Sequence, residues 1–111
     1  MTAAGGIVRL TAGAQQDVRN LNRYLRDRHG AATAASFRAD LSEAVGRLGD
    51  YPHRGTVPRE LEAIGVTEYR QILSGPNRII YRVMDSDVIV FIVVDGRRDL
   101  QSLLERRILI G

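Results

Sequence analysis

The 111-residue chain contains no cysteine, no lysine and no tryptophan, and only three prolines. Without cysteine, neither a disulfide framework nor a thiolate metal site is possible, so the fold has to rest on its packed core. A chain of this length can bury such a core unaided, and one domain over residues 1–111 is expected. Without lysine, a common general acid or base is missing, as is the compact ammonium that binds phosphate. All sixteen basic residues are therefore arginine, against thirteen acidic ones, for a net charge of +3. That balance permits nucleic acid or an acidic protein as partner and demands neither. The longest apolar run, Val88 to Val94, is far too short to span a bilayer. The opening "MTAAGGIVRL" lacks the charged start and long apolar stretch of a secretory leader. A soluble cytoplasmic domain with no membrane association is the expectation.

What is present divides into two periodicities. After a short strand from Ile7 to Leu10, Thr11 is a suitable helix N-cap, and Ala14, Val18, Leu21 and Leu25 recur on one helical face. "HG" at His29 and Gly30 closes that helix. Thr33 is placed to cap a second helix with Ala34, Phe37, Leu41, Val45 and Leu48 inward, ending at Gly49, Asp50 and Pro52. So short a connection folds the two helices back as an antiparallel hairpin. "YPHRGTVPREL" follows as a stiff loop draped over the sheet.

From there the period becomes two. "VTEYRQIL" (Val66 to Leu73), "RIIYRVM" (Arg78 to Met84) and Val88 to Val94 read as strands joined by "SGPN" and "DSD" turns. The last strand is apolar on both faces and so belongs in the centre of the sheet. Asp99 can cap a final helix that turns Leu100, Leu103, Leu104 and Ile108 inward. The predicted order is β-α-α-β-β-β-α, an α+β fold with an antiparallel sheet and a helical hairpin packed on one face.

That order, with "EYRQIL", "NRIIYRV" and "VVDGRRDLQSLLERRI", resembles the RelE/ParE superfamily of bacterial toxins from type II toxin–antitoxin modules, over nearly the whole chain. The resemblance implies one of two activities. RelE-like members cut mRNA on the ribosome without a metal, whereas ParE-like members inhibit DNA gyrase by binding.

Metal-free RNA cleavage needs a base, an acid and cations around one phosphate. RelE-like nucleases supply these with lysines, arginines and a tyrosine or histidine near the chain end. Here there is no lysine, and nothing after Tyr81 is Tyr or His. Where many relatives carry histidine before the Gly-Arg-Arg step stands Asp95, which would repel an RNA phosphate. Arginine stabilises charge but is a poor base. His29 reads as a solvated helix-terminal residue. His53, with Arg54 and Arg82, is the remaining catalytic candidate set, although a surface loop histidine explains His53 more simply.

Other chemistries are poorly served. Two separated histidines without cysteine give no zinc spacing, the acids are too scattered for a magnesium nuclease, and no glycine loop has a phosphate-binding context. No metal or cofactor is expected.

The remaining candidates are Arg70, Arg82, Arg97 and Arg98, as residues that bind target or antitoxin. One reading makes them part of an Arg–carboxylate network with Asp95, Asp99, Glu68 and Glu105, Arg97 or Arg98 fixing the last helix through Asp99. The other, implied by the resemblance, places arginines on an open sheet face and at the strand end, against the acidic segment of a ParD-like ribbon-helix-helix antitoxin. On that reading operator DNA is reached only through the antitoxin. The expected function is a ParE-like gyrase inhibitor without catalytic residues, with a RelE-like ribosome-dependent endoribonuclease, or a degenerate toxin acting as co-repressor, as the alternatives.

Overall fold

The computed structural model describes residues 6–110. Met1 to Gly5, part of the segment read above for a leader, lie outside the described residues.

β1 (Val8–Leu10) runs into α1 (Ala12–His29), and Thr11 caps that helix as expected, its Oγ1 accepting the Ala14 N–H at 3.1 Å. Gly30 turns the chain at φ 94°, a left-handed conformation that glycine tolerates without steric cost. α2 (Ala31–Asp50) then begins one residue later, so Thr33 is not its cap. Its hydroxyl instead donates back to the His29 carbonyl, within the first turn. Ala34, Phe37, Leu41 and Leu48 are buried along the inner face of α2, as their spacing predicts.

The loop after α2 carries an unpredicted short helix, α3 (Arg59–Glu62), whose Leu61 is buried. Four residues are too few for a helical period to show in sequence. β2 (Tyr69–Ser74), β3 (Asn77–Met84) and β4 (Asp87–Asp95) follow, each starting or ending within three residues of its predicted bounds. α4 (Leu100–Leu104) is capped by Asp99, whose carboxylate accepts from Ser102 N–H and Oγ, and runs on into a π-helical turn, Glu105–Ile110.

The sheet order is β1-β4-β3-β2, with β4 central as its two-sided apolar pattern requires. One expectation needs correcting: β1 pairs parallel to β4, so only the other three strands form the antiparallel meander. α1 and α2 intervene between β1 and the meander, so no hairpin constrains its direction.

A bulge in β4 organises the core. Ile80 pairs with Ile92 but Tyr81 pairs with Val90, leaving Phe91 as the extra residue. Val88, Val90 and Val93 therefore face the helical hairpin with Ile72, Ile79 and Tyr81, although strict alternation would put Val93 on the other side. Ile92 and Val94 face the opposite way, against Leu61, Leu100 and Leu104. The far side of the sheet is thus covered in part by α3 and α4 and is not the open face expected from the sequence.

Candidate functional site

The four arginines singled out from the sequence do not converge. Arg70 stands opposite Tyr81 and Arg82 opposite Tyr69, so the two lie on opposite faces of the sheet. Arg70 is a loop anchor: its Nη1 donates to the His53 carbonyl at 3.1 Å and the Gly55 carbonyl at 2.7 Å. The same loop is fixed from beneath, where the buried Tyr81 hydroxyl accepts the Gly55 N–H at 2.9 Å. Thr56 also forms a two-bond bridge to Gln71. A Cβ on Gly55 would sit 2.5 Å from the Gln71 carbonyl and 2.7 Å from the Tyr81 hydroxyl, so only glycine fits. Burial pushes the Tyr81 hydroxyl above its ordinary pKa, with Arg70 and Arg54 opposing that shift. A hydroxyl held neutral in this way is a weaker acid than usual and offers no phenolate to act as a base.

Arg82, on the other face, lies over the Tyr69 ring at 5.8 Å. Tyr69 in turn meets Phe91 edge-on at 5.4 Å. His53, Arg54 and Arg82, the candidate nuclease set, are divided between the loop on one side and this aromatic stack on the other.

Arg97 follows the end of β4 and is clamped by Asp95, whose carboxylate accepts from its Nε at 3.1 Å, its Nη2 at 2.9 Å and its N–H at 2.9 Å. These bonds hold the Asp95 carboxyl down to about 2. Asp95 is therefore a fixed anion that orients Arg97, whose side chain remains 85% exposed. Asp99 is engaged with Ser102 and pairs with neither arginine, so the helix cap and the arginine clamp are separate devices. Among the described residues, no acceptor engages the Arg98 guanidinium.

Around this clamp run two adjoining hollows. One, of about 480 Å³, lies between α1 and the end of β4, lined by Leu21, Tyr24, Val93, Arg97, Arg98 and Leu103 among others. The second, of about 410 Å³, continues past Tyr24 and Arg97 towards the Ser74–Asn77 turn and Phe37. Tyr24 stands between them, half exposed, with Arg28 over its ring at 5.6 Å. Volumes of this kind hold an inserted side chain or a small ligand.

Sequence reasoning missed the groove's supports. Asp17 accepts the Val93 N–H at 3.0 Å and a two-pronged contact from Arg107 at 3.1 Å, while Arg107 also donates to the Phe91 carbonyl at 2.8 Å. This network ties α1, the bulge and the C-terminal turn together where β1 has ended. Across the sheet, Arg78 grips Glu60 at 2.9 and 3.0 Å and Gln71 at 2.7 Å, fastening α3. Gly13, in the first turn of α1, lies where a Cβ would come within 2.6 Å of Arg107 Nη2.

The sequence profile of the ParE toxin of type II toxin–antitoxin systems matches residues 8–100. The chain belongs to the ParE toxin family. Two solved structures share its fold. The chromosomal ParDE toxin–antitoxin system of P. aeruginosa superposes with a TM-score of 0.67 at 16% identity, covering 83% of this chain and 97% of that one. The RelBE2 toxin–antitoxin complex of Mycobacterium tuberculosis superposes with a TM-score of 0.58 at 22% identity, covering 82% and 91%. No curated protein sequence matches significantly. Among the described residues no helix is long and apolar enough to cross a membrane.

Proposed function

We propose that this ParE-family chain acts in the cytoplasm by binding DNA gyrase, without catalysis of its own, and is neutralised by a ParD-like ribbon-helix-helix antitoxin. Operator DNA is reached only through that antitoxin. The observation that carries this reading is the dispersal of the polar groups a metal-free nuclease has to gather. Arg70 is spent on the His53 and Gly55 carbonyls, Arg82 lies on the other face over Tyr69, and Arg97 is held by an aspartate ionised well below neutral pH. Proton transfer to and from one phosphate requires base and acid within hydrogen-bond reach of the same point. The exposed arginines at the end of β4, beside an apolar groove, suit a protein partner better than a scissile phosphate, because Asp95 places a fixed negative charge among them.

Purified chain titrated into gyrase, relaxed plasmid and ATP tests this reading. Lost supercoiling or trapped cleaved DNA, reversed by the antitoxin, is the expected result. Full supercoiling at large excess, with cleavage of ribosome-bound mRNA, would transfer the function to the endoribonuclease.

A further inference from the structure

The "YPHRGTVPREL" segment has no part in the recognition described so far, yet its start is fixed more firmly than a connection requires. Tyr51 to Arg54 close a turn, the Arg54 N–H donating to the Tyr51 carbonyl at 3.2 Å. Three separate anchors hold the residues that follow. Arg70 Nη1 reaches the His53 and Gly55 carbonyls, the buried Tyr81 hydroxyl takes the Gly55 N–H, and Thr56 exchanges two hydrogen bonds with Gln71. Shielding the edge of β2 needs only the last of these, because that bridge alone occupies the Gln71 main chain. The other two fix the direction of the turn itself.

The turn displays side chains suited to recognition. Tyr51 is 68% exposed, and His53 and Arg54 stand in solvent beside it. Arg70 is half-buried at the base of the turn with only Nη1 engaged. Both Arg54 and Arg70 act on the Tyr81 hydroxyl, so the two guanidinium groups are neighbours. Residues 51–59 include two arginines and a histidine but no carboxylate. Among the described residues no carboxylate pairs with Arg54 or Arg70, and Glu60, the next acid along the chain, is held by Arg78.

This positive patch is short, with exposed Asp50 before it in the chain and exposed Glu62 after it. The continuous charge of a nucleic acid backbone is best served by a longer basic track. A cluster of carboxylates on a protein suits it better, each guanidinium offering a two-pronged contact. The rigidity of the turn points to a folded partner. A disordered antitoxin segment orders itself on the surface it meets, whereas a folded target gains most from a loop whose ordering cost is already met.

We infer that the Tyr51–Thr56 turn and Arg70 form a pre-ordered contact surface for an acidic patch on the folded target protein. Tyr51 packs its ring against the partner, while Arg54 and Arg70 receive its carboxylates. Tyrosine and arginine are among the residue types that carry most of the binding energy at protein interfaces. The inference rests on the gyrase reading above and adds a second contact to the strand-end arginines.

The full chain and its variants are compared in gyrase supercoiling, with melting temperature and affinity for the full-length antitoxin measured on the same samples. Tyr51→Ala and Arg54→Glu should each weaken inhibition tenfold or more, yet melt with the wild type and bind antitoxin within twofold of it. Both side chains are exposed, so both variants should fold. Arg9→Glu makes the same charge change on an exposed residue of β1, at the opposite edge of the sheet, and should inhibit as the wild type does. Undiminished inhibition by folded Tyr51→Ala and Arg54→Glu would overturn this surface and leave the gyrase reading standing. An equal loss in Arg9→Glu would overturn it as an effect of net charge alone, and an equal loss of antitoxin affinity would overturn the choice of partner. No inhibition by the wild-type chain at large excess would overturn the gyrase reading and this surface together.

Discussion

Two Asp–Arg pairs stand at opposite ends of the same groove, and their difference separates framework from surface. Asp17–Arg107 joins residues ninety positions apart, with side chains 17% and 26% exposed, and its spare hydrogen bonds satisfy backbone groups of β4. Asp95–Arg97 joins residues two positions apart and leaves the guanidinium in solvent. An ion pair of the first kind is expensive to break from one side, because the remaining partner and the backbone groups it served are stranded away from water. The second kind adds little to stability but fixes the direction of an exposed cation. The same chemistry thus serves the fold at one end of the groove and, in the function proposed above, recognition at the other.

The contrast is most easily broken at Arg107. Arg107→Ala should destabilise the chain by about 2 kcal/mol, since it removes both prongs from Asp17 and unsatisfies the Phe91 carbonyl. Chemical denaturation measures this, and a loss below roughly 0.5 kcal/mol, the level of an exposed pair, would erase the distinction.

A pair of helical glycines sharpens it further. Gly46 has nothing within 4 Å of a built Cβ, so Gly46→Ala should stabilise by about 0.5–1 kcal/mol through helix propensity alone. Gly13→Ala should forfeit that gain, because its Cβ would press on Arg107. Equal melting temperatures for the two variants would mean that Arg107 yields without loss.

The third effect is smaller and depends on pH. The Asp95 carboxyl titrates lower in the folded chain than in the unfolded one, so its contribution is present above the usual carboxylate range near pH 4. It is lost as pH falls through about 2. Solvent screening keeps it small. Asp95→Asn should flatten the stability profile between those two pH values, leaving the variant slightly less stable than the wild-type chain above the usual carboxylate range and level with it once Asp95 is protonated. Carboxyl NMR titration reads the same group directly, and a midpoint near 4 would contradict the clamp.

The sequence revealed the large, regular features. The helical face of α1 and α2, the three meander strands, Thr11 and Asp99 as caps and the central place of β4 all follow from spacing and end chemistry. The parallel pairing of β1 and the short helix α3 did not, because a three-residue strand carries no sign of its direction and a four-residue helix has no period. The bulge escaped for a related reason: in "VIVFIVV" every residue is apolar, so an extra residue that reverses the facing of Val93 leaves no trace in the pattern. The expectation that arginines gather on one open sheet face fails for Arg70 and Arg82, whose register puts them on opposite faces. At the site, Arg97 and Arg98 were conspicuous as a doublet. Asp17, Tyr24 and Arg107 were not, since they meet only through tertiary contact.

The smallest expected change in stability accompanies the largest expected change in function, and that combination tests the account most directly. The double variant Arg97→Ala/Arg98→Ala should melt at the wild-type temperature, because neither guanidinium supports the core. Its inhibition of gyrase supercoiling should nevertheless weaken at least tenfold when titrated beside the wild-type chain. Undiminished inhibition by a fully folded double variant would contradict the assignment of the strand-end arginines to recognition.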